Sequence, residues 1–243
     1  MRLPIRALAA LLLSVPLASG ADPLLPRSDF SFEDHAWHVH ASEILDRIIL
    51  YGANLGHTDF SLSDLGASVL SDAYLLEANL QGANLERASL AGALLSGANL
   101  TGVSALRADF RGADLDGSIL DGGDFERAAF DGALLSGASL LDASLAYASF
   151  QDANLDGSDL RGSDVRNADF SGANLAGADL SVLLDASTAK FQNATYDDLT
   201  LLDPGIDTTG MIYLPEPGAL GGLSAGVTLL TLCARRRGRL AMA

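Results

Sequence analysis

The chain has 243 residues, of which 49% are hydrophobic and 6% aromatic, with 25 glycines and a formal net charge of −16. That length accommodates one core-forming domain plus appendages, and a hydrophobic content so rich in alanine points to thin, stacked coils rather than a broad globular core. The acidity excludes an electrostatically driven binder of nucleic acid or anionic lipid and suits cationic partners, and the single cysteine, Cys233, excludes an internal disulfide.

Met1 to Ala21 has the form of a secretory signal peptide. Arg2 and Arg6 make a positive start, Ala7 to Leu17 an apolar stretch, and Ala18-Ser19-Gly20-Ala21 offers small residues for cleavage after Gly20 or Ala21. The stretch is short for an anchoring helix. Residues 22–50 then read as a lead-in and cap. Pro23 and Pro26 disfavour regular structure, whereas Ser42 to Ile49 predicts a short helix, with Ser42 at its start, Ile44, Leu45, Ile48 and Ile49 on one face, and Gly52 closing it. The alternative is a degenerate first coil, because Leu45 and Leu50 already fall in the phase of the repeats that follow. His35, His38 and His40 lie beside Glu33 and Asp34, a set of metal-ligand types, but their spacing matches no defined site and they read as solvated or cap-packing histidines.

From 51 to 180 one pattern dominates. Almost every fifth residue is Leu or Phe, as in Ala53-Asn54-Leu55, Ala78-Asn79-Leu80, Ala113-Asp114-Leu115 and Ala173-Asn174-Leu175. Of the 26 such centres between Leu55 and Leu180, eighteen are Leu, six are Phe, and only Ala105 and Val165 depart. The residue two before the centre is small except at Val103, and Gly recurs two after it. A period of five fits neither helix nor strand; it demands a corner about every five residues. This pattern resembles that of the pentapeptide-repeat family, A(D/N)LxG. The resemblance implies an all-β fold, a right-handed quadrilateral β-helix with four pentapeptides per coil and with centres and small residues inward. Four-sidedness has independent support: Phe110, Phe130, Phe150 and Phe170 lie twenty residues apart and so share one column. Six and a half coils would make a rod about 31 Å long. Ala105, beside Val103, is the weak point and a candidate bulge.

Asp and Asn crowd the position before the centre (Asp59, Asp64, Asp109, Asp114, Asp124, Asp159, Asp164, Asp169, Asp179), and Glu86, Asp116, Asp121, Glu126, Asp131 and Asp156 follow centres. They read as a solvated surface, with weak calcium binding as the functional alternative. Tyr74, Leu76, Leu94 and Leu134 face outward on one side, interrupted by Asp114 and Asp116, and make a poor docking strip. No nucleophile motif, phosphate loop or paired-carboxylate site occurs, so no enzyme and no cofactor is expected.

After Leu180 the phase slips at Leu183 and Leu184 and resumes one residue later with Phe191, Tyr196 and Leu201, so 181–214 reads as a closing cap and linker. Residues 215–243 form a three-part tail: Pro215-Glu216-Pro217, an apolar run from Ala219 to Ala234, and Arg235, Arg236 and Arg237. Sixteen apolar residues are few for a transmembrane helix, and the arginines would hold its end on the cytoplasmic side. The layout resembles the PEP-CTERM sorting signal. That resemblance implies processing near Pro215–Pro217 by an exosortase in a bacterial inner membrane, a precursor anchored there by a transmembrane tail, and delivery to the cell surface or extracellular matrix, often beside exopolysaccharide. The expected product is an exported structural or adhesive rod. Its partners would be signal peptidase and exosortase, then exopolysaccharide or calcium, with no nucleic acid. The alternatives are a binding module that uses its acidic faces for a cation, glycan or protein, and a DNA mimic, since some acidic relatives in the cytoplasm bind topoisomerases.

Overall fold

The computed structural model describes residues 45–215. Within them the five-residue period becomes a four-sided coil. At each corner the N–H three residues after a centre donates back to the centre's carbonyl, as from Ala78 to Leu75 (3.0 Å) and Ala98 to Leu95 (2.9 Å). The residue two after the centre takes a positive φ, at Gly97 (φ 67) as at Asp142 (φ 53); this is the geometry of a type II turn. Fourteen of these corners, from Arg47 to Gly177, carry glycine and thirteen carry another residue.

Each side is a short parallel bridge to the coil above, twenty residues on: Asn54 with Tyr74, Asp59 with Asn79, Asp64 with Asn84, Val69 with Ser89, and so on around and up. From Leu45 to Leu175 each centre N–H reaches up to the next coil, as Leu95 does to Asp114 (2.6 Å), and from Val69 on each preceding N–H reaches down, as Asp114 does to Ala93 (2.9 Å). The backbone is thus paired along the axis without long strands.

Inside, the four centres of each coil meet the four small residues and fill the section. From Phe60 to Leu180 every centre is buried, each Leu, Phe or Val contributing about 1.5–3 kcal/mol by leaving water. The phenylalanine column is a ladder of near-parallel rings: Phe110, Phe130, Phe150 and Phe170 are stacked at 4.9, 4.7 and 4.9 Å. Phe191 continues it at 5.1 Å, although its sequence position lies one residue out of phase. Ala105 makes no bulge. Its N–H bonds to Asp124 at 2.7 Å and its coil keeps register. Directly above it Phe125 turns its ring edge-on to Phe110 and Phe130, over Gly123, where any Cβ would strike that ring. A small centre below and a glycine beside it make room for one large ring.

The helix expected over 42–49 is not formed in its described part. Leu45 bonds to Asp64, Arg47 turns with φ 59, and Ile49 bridges Val69, so this segment is the first coil. Gly52 is an ordinary corner (φ 61), not a helix terminator. The inward period of five wins because Leu45 and Leu50 gain a hydrophobic coil to cover, whereas an apolar helix face there would leave that coil's bridge groups open.

Above Leu180 the coil becomes irregular. Strand β1 (Asp179–Leu180) pairs with β3 (Leu201–Leu202), and β2 (Thr195–Tyr196) pairs with β4 (Ile212–Tyr213), both parallel. One extra residue is taken up near the 3-10 turn Ala186–Thr188, so Asp169 bridges Lys190 instead of residue 189. Another is taken up before β3, which moves the partner of Asp179 to Leu201.

Candidate functional site

The outward Asp and Asn residues are chiefly structural. A carboxylate or amide oxygen at the position before the centre accepts the N–H two residues on, as Asp59 does from Ser61 (3.0 Å), Asn84 from Glu86 (3.0 Å), Asp124 from Glu126 (3.0 Å) and Asp169 from Ser171 (3.0 Å). These Asx turns satisfy the corner N–H that the turn itself leaves open. At three corners where that position holds another residue, a carboxylate one coil below takes over: Asp116 accepts from Ser136 (2.8 Å), Asp121 from Leu141 (3.0 Å) and Asp131 from Gln151 (3.2 Å). Amides also join coils, with Asn79 donating to Asp59 (3.0 Å) and Asn174 to Asn154 (2.8 Å). Sequence reasoning missed this role; the usable signal was that Asp and Asn share the position, since a charge requirement would not admit Asn.

Several of the remaining charges are matched locally. Arg111 clasps Asp109 with two bonds (2.8 and 2.6 Å) and Arg161 clasps Asp159 in the same way. These guanidinium bonds hold both carboxyls below the usual range. Arg47, Arg87, Arg107 and Arg127 share one corner column, interrupted by Ala67, with Arg127 paired to Glu126 (2.8 Å) and lying 5.1 Å over the Tyr147 ring. Asp46, Glu86 and Glu126 pair with Arg47, Arg87 and Arg127 at 3.6, 3.6 and 2.8 Å, so the corner does not become a positive groove. Among the described residues no group of three His, Cys, Asp or Glu side chains could hold a metal ion. His57 faces Glu77 at 3.2 Å, and His35, His38 and His40 lie outside the described residues. Tyr74, Leu76 and Leu134 are exposed, but Ser96 bonded to Asp114 (2.7 Å) divides them, so they form no continuous strip.

The closing segment is built from carboxylates. One oxygen of Asp197 accepts from Gly177 (2.9 Å), Leu199 (3.0 Å), Thr200 N–H (3.0 Å) and the Thr200 hydroxyl (2.9 Å). The Gly177 N–H foremost, with Thr200 and Leu199, holds this carboxyl below its ordinary value. Asp203 accepts from Gly205 (2.7 Å) and Leu183 (3.2 Å). Tyr213 donates its hydroxyl to Asp198, which pushes the phenol up to about 12. Leu214 is the last residue bonded into the coil, to Tyr196 at 2.7 Å, and Pro215 follows it directly. Of the residues expected to form a sorting motif only Pro215 is described; Glu216, Pro217, Arg235, Arg236 and Arg237 lie outside, as do the expected signal segment and the apolar run. No helix among the described residues is long and apolar enough to cross a membrane.

The family model for pentapeptide repeats matches in eight copies over residues 48–87, 83–122, 124–162 and 148–181. The chain belongs to the pentapeptide-repeat family. Among solved structures, this pentapeptide-repeat protein is similar to QnrB1, described as a plasmid-mediated fluoroquinolone resistance protein. A trypsin-treated variant is 21% identical over 80% of this chain and 92% of QnrB1, with a TM-score of 0.64. The full-length form is 19% identical over 82% and 99%, with a TM-score of 0.62. At that identity the likeness shows the shared right-handed β-helix. HetL, a pentapeptide repeat protein of the cyanobacterium Nostoc sp. strain PCC 7120, is 26% identical over 71% of this chain and 84% of its own, at a TM-score of 0.27. No curated protein matches the sequence significantly.

Proposed function

We propose that this pentapeptide-repeat protein is a non-enzymatic, exported rod, structural or adhesive in role, delivered to the cell envelope or matrix by an exosortase that recognises its tail. The observation that carries the reading is the order of segments: a signal-peptide pattern at 1–21, the rod, then Pro215-Glu216-Pro217, the apolar run Ala219 to Ala234 and Arg235 to Arg237. The filled interior supports it, because a solid rod offers contact faces rather than a cleft. Its surface carboxylates support it too, since many are spent on their own backbone. Fractionation of the native bacterium tests the reading. Protease added to intact cells should reach the rod, and the cytosolic fraction should hold none of it; a protein found only in the cytosol would overturn the proposal.

A second reading, an acidic mimic of DNA that binds a basic partner, is favoured by the net charge of −16 and by the fold shared with QnrB1. A cytosolic location would favour it, because export removes the rod from such partners.

A further inference from the structure

The described chain ends on its own last strand. Ile212 donates to Ala194 (2.8 Å) and Leu214 to Tyr196 (2.7 Å), so β4 is zipped to β2 up to the residue before Pro215. The Tyr213 ring lies 5.5 Å from that of Tyr196, and its hydroxyl bonds to Asp198. The approach to the strand is pinned as well: Asn193 donates to Gly210 (2.8 Å), and Gly210 turns at φ 87, a backbone angle that a residue with a Cβ would strain to hold, beside the end of the Gln192 side chain. Pro215 has no N–H to continue the ladder. The Pro-Glu-Pro motif therefore starts with no spacer beyond the last bonded amide.

An enzyme that cuts a peptide chain takes its substrate extended, with residues on both sides of the cut enclosed and bonded through their backbone. Residues 212–214 cannot enter such a cleft while β2 lies beside them at strand spacing, about 4.8 Å. Yet β4 is suited to opening. It is two residues long, Ile212 and Tyr213 are 46% and 37% exposed, and it is the outermost pairing of the described coil; local opening is drawn from such weakly covered elements.

We propose that Gly210–Leu214 is a clasp that sets the rate of tail processing: the motif at 215–217 becomes a substrate only when β4 peels from β2. This rests on the sorting-tail reading and adds its regulation. A chain whose last coil has not yet closed is cut at once, whereas a folded rod is cut at the rate at which its final strand opens. After cutting, the strand can close again and leave the rod capped.

The test follows loss of the tail by pulse-chase in cells of the native bacterium, using the full chain and two variants. Tyr213→Phe keeps the ring and removes the bond to Asp198. A six-residue Gly/Ser insertion between Leu214 and Pro215 moves the motif clear of the strand. Tyr213→Phe should speed tail loss by about threefold, the scale of a solvent-screened contact to an exposed charge, and quicken hydrogen exchange at the Leu214 amide by the same factor. The insertion should speed tail loss more, whatever Tyr213 contributes. Equal rates in the parent and the insertion chain would overturn the clasp while leaving the sorting reading intact. Retention of the tail by all three chains would overturn both.

Discussion

The coils below Leu180 and the segment above it are held by different physics. Below, each coil repeats the one beneath: Leu and Phe fill the axis, alanine lets the sides close, and the four-ring ladder runs from Phe110 to Phe170 at nearly constant spacing. Above, the period breaks twice, the strands are two residues long, and individual carboxylates such as Asp197 and Asp203 gather several donors each. Burial is spread over the rod, whereas the closing segment depends on a few polar knots. The two regions therefore rest on different kinds of cohesion, one distributed along the axis and one concentrated at a few side chains.

The contrast can be broken hardest from inside the coils. Leu115→Asp puts an unpaired carboxylate into a fully buried position. It should cost about 4 kcal/mol or more and divide the rod, since each coil is stabilised by its neighbours. Circular dichroism and thermal melting would show this, and an unchanged melting temperature would contradict the inward placement. Phe150→Ala removes the middle of the ring ladder and should cost about 3–5 kcal/mol. Phe150→Leu should recover most of that but not the stacking, which is worth about 0.5–1.5 kcal/mol per pair; denaturant titration separates the two.

Smaller effects lie at the corners and at the end. Leu62 is held at φ 58, 63% exposed, with its side chain over Gly82. Leu62→Gly should stabilise the rod by up to about 1 kcal/mol, the relief of a left-handed residue offset in part by glycine's entropy; a lower denaturant midpoint would contradict the corner geometry. Asp197 should make the closing segment selectively sensitive to acid. Its folded carboxyl titrates below its unfolded value, so the folded state binds fewer protons there. Its contribution is therefore complete above the unfolded value of about 4 and is lost as pH falls through the lower folded value. Hydrogen exchange at Leu199 and Thr200 should quicken over that window before the Phe column loses protection, and Asp197→Asn should abolish the difference. Simultaneous loss in both regions would mean that the two do not differ in the way described.

The coils were legible in the sequence because one inward requirement recurs at fixed spacing: Leu115 and Leu175 are read by the same rule. Phe110 to Phe170 even disclosed the number of sides. The start was misread at Leu45 to Ile49 because Leu45, Ile48 and Ile49 satisfy a helical stripe as well as a coil, and only pairing with Asp64 and Val69 decides between them. The accommodation of Phe125 over Ala105 and Gly123 was not legible, since it depends on volumes in successive coils that are twenty residues apart in sequence. The closing knots were hidden for a related reason. An aspartate that accepts four bonds, as Asp197 does, carries the same letter as one that merely faces water. The sorting role proposed for Pro215 to Pro217 rests on motif alone, and the structure adds that Pro215 adjoins a paired strand.

Intact-mass spectrometry of the protein recovered from the native bacterium tests the central claim most directly. An exported and processed rod should begin near Ala21 or Asp22 and end within Pro215–Pro217, with the apolar run and Arg235 to Ala243 absent. A single species of full mass, retaining both Met1 and Ala243, would contradict it.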